Sequence, residues 1–231
     1  MIVGISIASS VGALFLLTEL MGLSYGPTFA RSLTIAIVAP TLVSAPIGGF
    51  IVHLLREVEQ ARREALLLSW RDELTGLLNR RRFAEVGMRE LSLAHRGRRR
   101  LVALLMDVDD FKRINDQQGH AAGDAVLRSV GEILPRQLRA TDLVSRWGGE
   151  EFAVLLPDTG LADAAHLAER VRSAIEAMQV LQPQGSILRC TVSIGVTEAR
   201  DGDGFDLLID RADQAMYLAK AGGKNRVVQA G

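Results

Sequence analysis

The sequence predicts an α/β domain, a mixed central sheet surrounded by helices, preceded by two transmembrane helices and a helical stalk. Three observations predict it. Residues 1–52 carry only two charged side chains, Glu19 and Arg31. An apolar heptad stripe follows over residues 51–68. From Asp72 onward, segments of helical and strand period alternate, with a Gly-Gly turn between two of the strands. Such alternation gives a mixed sheet covered by helices. The expected organisation is a membrane segment over residues 1–54, a stalk over 55–71 and a globular domain over 72–231.

Two apolar stretches, residues 1–21 and 32–55, flank a short connection at 22–31. Each is long enough for a helix of about 20 residues across a bilayer core of about 30 Å. Pro40 and Pro46 are compatible with a span, because membrane helices tolerate proline. The first stretch lacks the basic amino-terminal region and small-residue cleavage site of a signal peptide. Arg56, Arg62, Arg63 and Arg71 follow the second stretch, whereas the connection offers only Arg31. The positive-inside tendency therefore puts the amino terminus and the carboxyl-terminal domain in the cytoplasm. Glu19 falls near the interface and receives no role.

The stalk is read from Ile51, Leu54, Val58, Ala61, Ala65 and Leu68, which recur at steps of three and four. Arg56, Glu57, Glu59, Arg62, Arg63 and Glu64 occupy the other faces, and Glu59–Arg63 is a favourable i,i+4 pair. The second span is expected to run on into a two-stranded coiled coil. In the domain, Asn79 caps a helix from Arg80 to about His95. A strand follows at 101–106, then a short helix at 111–117 stopped by Gly119. A longer helix covers 123–138, with Pro135 in its last turn. Strands at 143–147 and 152–156 flank Gly148-Gly149, a pair that suits a two-residue hairpin turn with positive φ. A helix at 161–178, a strand at 188–196, a helix at 205–221 and a closing strand at 226–229 complete the pattern.

Glu150 and Glu151 follow the glycines at once. A hairpin presenting two carboxylates is a plausible mount for Mg²⁺, which takes oxygen ligands and substrate phosphates. Asp107 stands at the carboxyl end of a buried apolar run, where ligand sites of open α/β sheets collect. Lys+Arg and Asp+Glu both number 27, so no basic excess points to nucleic acid. The single cysteine, Cys190, excludes an internal disulfide and is expected to be buried.

Four stretches occur in order. They are Asp72-Glu-Leu-Thr-Gly-Leu-Leu-Asn-Arg-Arg81; Asp107-Val-Asp-Asp-Phe-Lys-Arg-Ile-Asn-Asp116, with Gly119, His120, Gly123 and Asp124 after it; Arg146-Trp-Gly-Gly-Glu-Glu-Phe152; and Arg211-Ala-Asp-Gln-Ala-Met-Tyr-Leu-Ala-Lys220, with Gly222, Gly223, Lys224 and Asn225 after it. From Asp72 to Val228, roughly two thirds of the chain, the sequence resembles the GGDEF family of diguanylate cyclases, in the GGEEF form.

The resemblance implies that Asp107, the carbonyl of Val108 and Glu150 hold Mg²⁺ (or Mn²⁺). Glu150 is then the general base, with Glu151 a second candidate. Asp110, Phe111 and Lys112 open a short helix whose free N–H groups and dipole suit a phosphate. Lys220 and Lys224 match positions that contact the terminal phosphates, the second often arginine in the family. Asn115 and Asp124 match the guanine-reading pair. Arg139 and Asp142 match an inhibitory product site, and Arg170 an arginine contributed to it by a neighbouring domain. The implied reaction condenses two GTP into cyclic di-GMP and releases two pyrophosphates. The implied setting is a product-inhibited homodimer at the bacterial inner membrane, with no nucleic-acid partner. The alternative is a catalytically inactive cyclic di-GMP-binding signalling protein. Degenerate members usually lose the hairpin acids, and both are present here.

Overall fold

The computed structural model describes residues 70–181 and 186–230, together with 47–60 and some positions between 11 and 21. The chain divides into two compact units, Met1–Leu68 and Ser69–Gly231. In the first, residues 47–60 are helical, and Ile51, Leu54 and Val58 are exposed along that helix. Ala61, Ala65 and Leu68 lie outside the described residues, as do most of both expected spans. No helix among the described residues is long and apolar enough to cross a membrane.

The second unit runs β1 (Leu78–Asn79), α1 (Arg80–Gly97), β2 (Leu101–Val108), α2 (Phe111–Gln118), α3 (His120–Gln137), β3 (Leu143–Arg146), β4 (Glu151–Pro157), α4 (Leu161–Glu176), β5 (Val180–Leu181), β6 (Ile187–Leu188), β7 (Val192–Glu198), α5 (Phe205–Ala221) and β8 (Val227–Gln229). Every residue of β2 is buried, which is why its text reads as an unbroken apolar run. It lies inside a six-stranded sheet of order β1-β3-β4-β2-β7-β8. β2 pairs antiparallel with β4 and β7, while β1–β3 and β7–β8 are parallel, so the sheet is mixed.

Side chains alternate across the sheet and divide the core in two. Val102, Leu104 and Met106 pack with α2, α3 and α4, through Phe111, Val126, Leu134, Val171 and Ile175. Leu101, Ala103 and Leu105 pack with α1 and α5, through Phe83, Leu91, Leu208 and Met216. Gly195 in β7 lets α5 lie directly on the sheet, since a Cβ there would collide with Ala212 O and Met216 N. α1 begins where the Asn79 side chain accepts from Arg82 N at 2.9 Å. Gly119, at φ +81°, separates α2 from α3.

Three expectations are corrected. Gly148 and Gly149 do not adopt positive φ. The connection is a four-residue loop, 147–150, in which Trp147 N and Gly148 N both donate to Glu151 O, at 2.8 and 3.2 Å. A Cβ at Gly148 would meet the Glu151 carboxylate, the movable end of a flexible side chain. The expected strand at 188–196 is broken: Leu188 pairs with Val180 in a separate small hairpin, and β7 starts at Val192. The helix expected from Gly123 starts at His120, so Asp124 lies within α3 and not at its start.

Candidate active site

Asp107 is the seventh residue of β2 and has a strand on each side: its Cα partners are Glu151 in β4 and Ser193 in β7. Directly paired antiparallel residues project to one face, so Asp107 and Glu151 share the α1/α5 face. Lys220, in the last turn of α5, places its Nζ 2.7 Å from Asp107 Oδ2. Asp107 is 4 % exposed. Its carboxyl is raised to about 6, chiefly by burial and further by the charges of Glu150 and Glu151, with Lys220 opposing. Val108 N donates to Glu150 O at 3.2 Å, which brings the Glu150 backbone beside the strand end. Three acids and one lysine therefore converge where β2 meets the hairpin.

The hairpin tip is fastened from below by Arg146, a residue whose role the sequence alone did not disclose. Arg146 donates to Gly149 O through Nη2 at 2.7 Å and Nε at 3.1 Å. It also reaches both oxygens of Asp72, at 3.3 and 3.2 Å. Asp72 in turn accepts from Thr75 N and Thr75 Oγ1 at 2.9 and 2.7 Å. The Asp72-Glu-Leu-Thr stretch thus anchors the guanidinium that holds the loop before Glu150.

Asp110 is the N-cap of α2, at φ +56°, and no side chain caps its first turn. The Lys224 ammonium sits on Asp110 Oδ1 at 2.5 Å and holds that carboxyl below the usual range. Both expected phosphate lysines thus reach the strand end and paired helix start. Phe111 is buried against the core, so its contribution is its backbone. Lys112 and Asp124 stay outside these contacts: Lys112 is exposed, and Asp124 pairs with Arg128 at 3.8 Å. Asn115 faces the start of α3, where Gly123 makes room for its Oδ1. That Oδ1 is buried and has no hydrogen-bond partner.

Sequence reasoning also missed Asp109. It is buried and accepts from Thr191 Oγ1 at 2.6 Å, Ser193 Oγ at 2.7 Å and Asn225 N at 3.0 Å. Its only signal in the text was its place two residues after Asp107; the three donors come from distant segments. Cys190 is buried as expected, and burial with the nearby Asp109 charge pushes its thiol up to about 12. It is chemically inert there.

Among the described residues, no three His, Cys, Asp or Glu side chains form a group that could hold a metal by themselves. Mg²⁺ usually takes one or two carboxylates and completes its shell with water and substrate phosphates. Asp107, Glu150 and the Val108 carbonyl are a donor set of that kind.

A second pocket of about 250 Å³ is lined by Gln137, Arg139, Asp142, His166 and Arg170, among others. Arg139 N donates to Asp142 Oδ2 at 2.7 Å, while Asp142 Oδ1 is buried without a partner. Arg170 lies in the same pocket of the same chain, its Nη2 donating to Gln137 O at 2.8 Å. Within one chain, α4 therefore brings Arg170 into the pocket that Arg139 and Asp142 line.

The chain belongs to the GGDEF family: the diguanylate cyclase GGDEF domain pattern matches residues 69–226. It is similar to the response regulator PleD of Caulobacter vibrioides, 45 % identical over 166 residues, 71 % of this chain and 37 % of PleD. It is also similar to the diguanylate cyclase DgcM of Escherichia coli K12, 40 % identical over 184 residues, 78 % of this chain and 43 % of DgcM. The crystal structure of the coiled coil and GGDEF domain of DgcB from Caulobacter crescentus, in complex with c-di-GMP, superposes with a TM-score of 0.68 at 30 % identity. It covers 82 % of this chain and all of that one (100 %). The chain spans less than half the length of these curated relatives.

Proposed function

We propose that this protein is a diguanylate cyclase that condenses two GTP into cyclic di-GMP. The observation that carries the reading is the convergence of Glu150 and Glu151 on the buried Asp107, whose carboxyl rises to about 6. Clustered, desolvated acids are unfavourable unless a cation is to share them. Asp107, Glu150 and the Val108 carbonyl would hold Mg²⁺ (or Mn²⁺). Bound there, the ion offsets charge on the triphosphate and lowers the pKa of the attacking hydroxyl.

The chain's own groups do the rest. Glu150 accepts the proton of a GTP 3′-hydroxyl. The 3′-oxygen forms a bond to the α-phosphorus of the other GTP, and the bond from that phosphorus to the pyrophosphate oxygen breaks. Lys220 and Lys224 leave their carboxylates to meet the charge that departs. Asn115 Oδ1, an acceptor with no donor, takes a guanine N–H, with Asp124 beside it. Two such steps make two bonds and release two pyrophosphates. Each domain carries one GTP, so the active form is a homodimer. Arg139, Asp142 and Arg170 bind the product and inhibit.

Residues 1–21 and 32–55 anchor the chain in the bacterial inner membrane, and Arg56, Arg62, Arg63 and Arg71 support a cytoplasmic domain. Ile51, Leu54 and Val58, exposed along the 47–60 helix, support a coiled-coil stalk that sets the dimer.

The test is to incubate the purified chain with GTP and Mg²⁺ and identify products. Cyclic di-GMP and pyrophosphate are expected, and Glu150→Gln should slow the reaction at least ~10²-fold. Tight cyclic di-GMP binding with no turnover of GTP would make the protein a receptor instead.

A further inference from the structure

After α5, three consecutive residues have left-handed backbones: Gly223 at φ +114°, Lys224 at +63° and Asn225 at +45°. Two of them carry side chains. Non-glycine residues persist in this region only where the surroundings over-determine them.

Asn225 is the residue so held. Its N–H donates to the buried Asp109 at 3.0 Å, its Nδ2 donates to Glu176 Oε1 at 2.8 Å, and its Oδ1 accepts from Arg172 Nη1 at 2.7 Å. Arg172 is itself fixed. Its side chain is 13 % exposed and lies 2.7 Å from both Glu169 and Glu176. It donates further to Ser173 Oγ at 2.9 Å. Asp109 is fixed from the other side by Thr191 and Ser193. Groups from α4, from the end of β2 and from the start of β7 therefore grip one residue of a surface turn.

The sheet does not need this grip. β8 is already secured by its pairing with β7 at Ile194, Gly195 and Val196. What the grip does fix is the preceding residue. Lys224 leaves the chain from a left-handed backbone, and its ammonium lands on Asp110 at the start of α2. A lysine on a free turn would spread over many rotamers and lose side-chain entropy on meeting a ligand.

We infer that Arg172 and Asn225 are positioning residues, which act through Lys224 by holding its ammonium over the phosphate-seating end of α2. This rests on the proposed reading of Lys224 as a contact to the triphosphate. Neither Arg172 nor Asn225 touches the substrate itself. Because the linkage runs through one ammonium, its removal weakens ligands that carry a triphosphate and spares those that do not.

The experiment is a double-mutant cycle on the full chain with two probes, a GTP analogue with an uncleavable α,β-bridge in Mg²⁺, and guanosine. Arg172→Ala should weaken the analogue about tenfold, the scale of one charge-assisted hydrogen bond, with guanosine unchanged. Arg172→Lys should recover only part, since it lacks the guanidinium fork. In a Lys224→Gln background, Arg172→Ala should change analogue affinity less than twofold, because the two act as one unit. Should Arg172→Ala fail to fold, Asn225→Gly removes the Arg172–Asn225 bond while accepting the left-handed backbone, and the same pattern is expected.

A full tenfold loss in both backgrounds, or an equal loss for guanosine, overturns the inference and leaves a general structural role. Unchanged analogue affinity in Arg172→Ala also overturns it. If Lys224→Gln itself binds the analogue normally, the assignment of Lys224 fails first and the inference falls with it. If Lys224→Gln is weak and Arg172→Ala is normal, only the inference fails.

Discussion

Replacing Asp107 by asparagine should stabilise the metal-free protein, and only above acidic pH. Asp107 is 4 % exposed, and its carboxyl is raised from 3.8 to about 6 by burial first, then by Glu150 and Glu151 against the opposing Lys220. An acid whose folded pKa exceeds its unfolded value binds its proton more tightly in the folded state. That stabilisation is fully present below about pH 4 and is lost as pH rises through about 6. A shift of roughly two units at 1.36 kcal/mol each makes ionised Asp107 a burden of about 3 kcal/mol at pH 8. Asparagine keeps the shape of the protonated acid and cannot ionise. The difference in unfolding free energy, variant minus wild type, should be near zero at pH 4 and rise to about 2–3 kcal/mol by pH 8. Urea denaturation in the presence of a chelator measures it. Trp147, packed edge-on against Phe83 and Phe205, provides the fluorescence signal. A variant that is less stable than wild type at pH 8, or a difference that does not vary with pH, would refute the reasoning.

Two other outcomes are expected. Arg170→Ala should weaken cyclic di-GMP binding about as much as Arg139→Ala, at least ~10-fold for loss of a charge-assisted contact, because both line one pocket. Calorimetry on the two variants checks this, and normal product affinity in Arg170→Ala would return that arginine to a neighbouring domain. Gly195→Ala should destabilise the domain by about 1–3 kcal/mol or more, because its methyl must displace the backbone of α5. A thermal melt unchanged from wild type would show that α5 slides aside at little cost.

How much of this was legible in the sequence depended on distance along the chain. α5 was read to the residue, because Leu208, Ile209, Ala212, Met216 and Ala219 keep helical period between Gly204 and Gly222. The Asn79 cap was legible for the same reason: donor and acceptor are three residues apart. β1 was not, since two residues carry no period, and Leu78 and Asn79 are a strand only through pairing with Ser145 and Arg146. The glycines of the hairpin were assigned a positive φ that they do not adopt, because the loop is longer than two residues and closes on Glu151 O. In the site, Asp107, Glu150 and both lysines were legible from motif order. The Asp107–Glu151 register, the cage around Asp109 and the place of Arg170 beside Arg139 were not. Each depends on strands or helices that meet across tens of residues.

The polar accounting of the domain bears on its specificity. Asp72 and Asp109 are satisfied by the partners given above, and Arg211 donates to both oxygens of Asp203, as groups taken from water must be. Among the described residues three buried side-chain atoms have none: Asn115 Oδ1, Asp142 Oδ1 and Ser145 Oγ. Nothing in the structure accounts for Ser145. The other two are oxygen acceptors, one at each of the two places where the proposed function puts a guanine. An unmet buried acceptor costs about 1–3 kcal/mol, recovered only by a ligand that brings a donor to that point. Guanine brings N1–H and an exocyclic amine on one edge, whereas adenine presents a bare N1 there. Adenine keeps only its exocyclic amine as a donor on that edge, so an acceptor facing the N1 position is met by guanine and left unmet by adenine. On this reading the substrate site and the product site choose the same base by the same means, from opposite ends of α3.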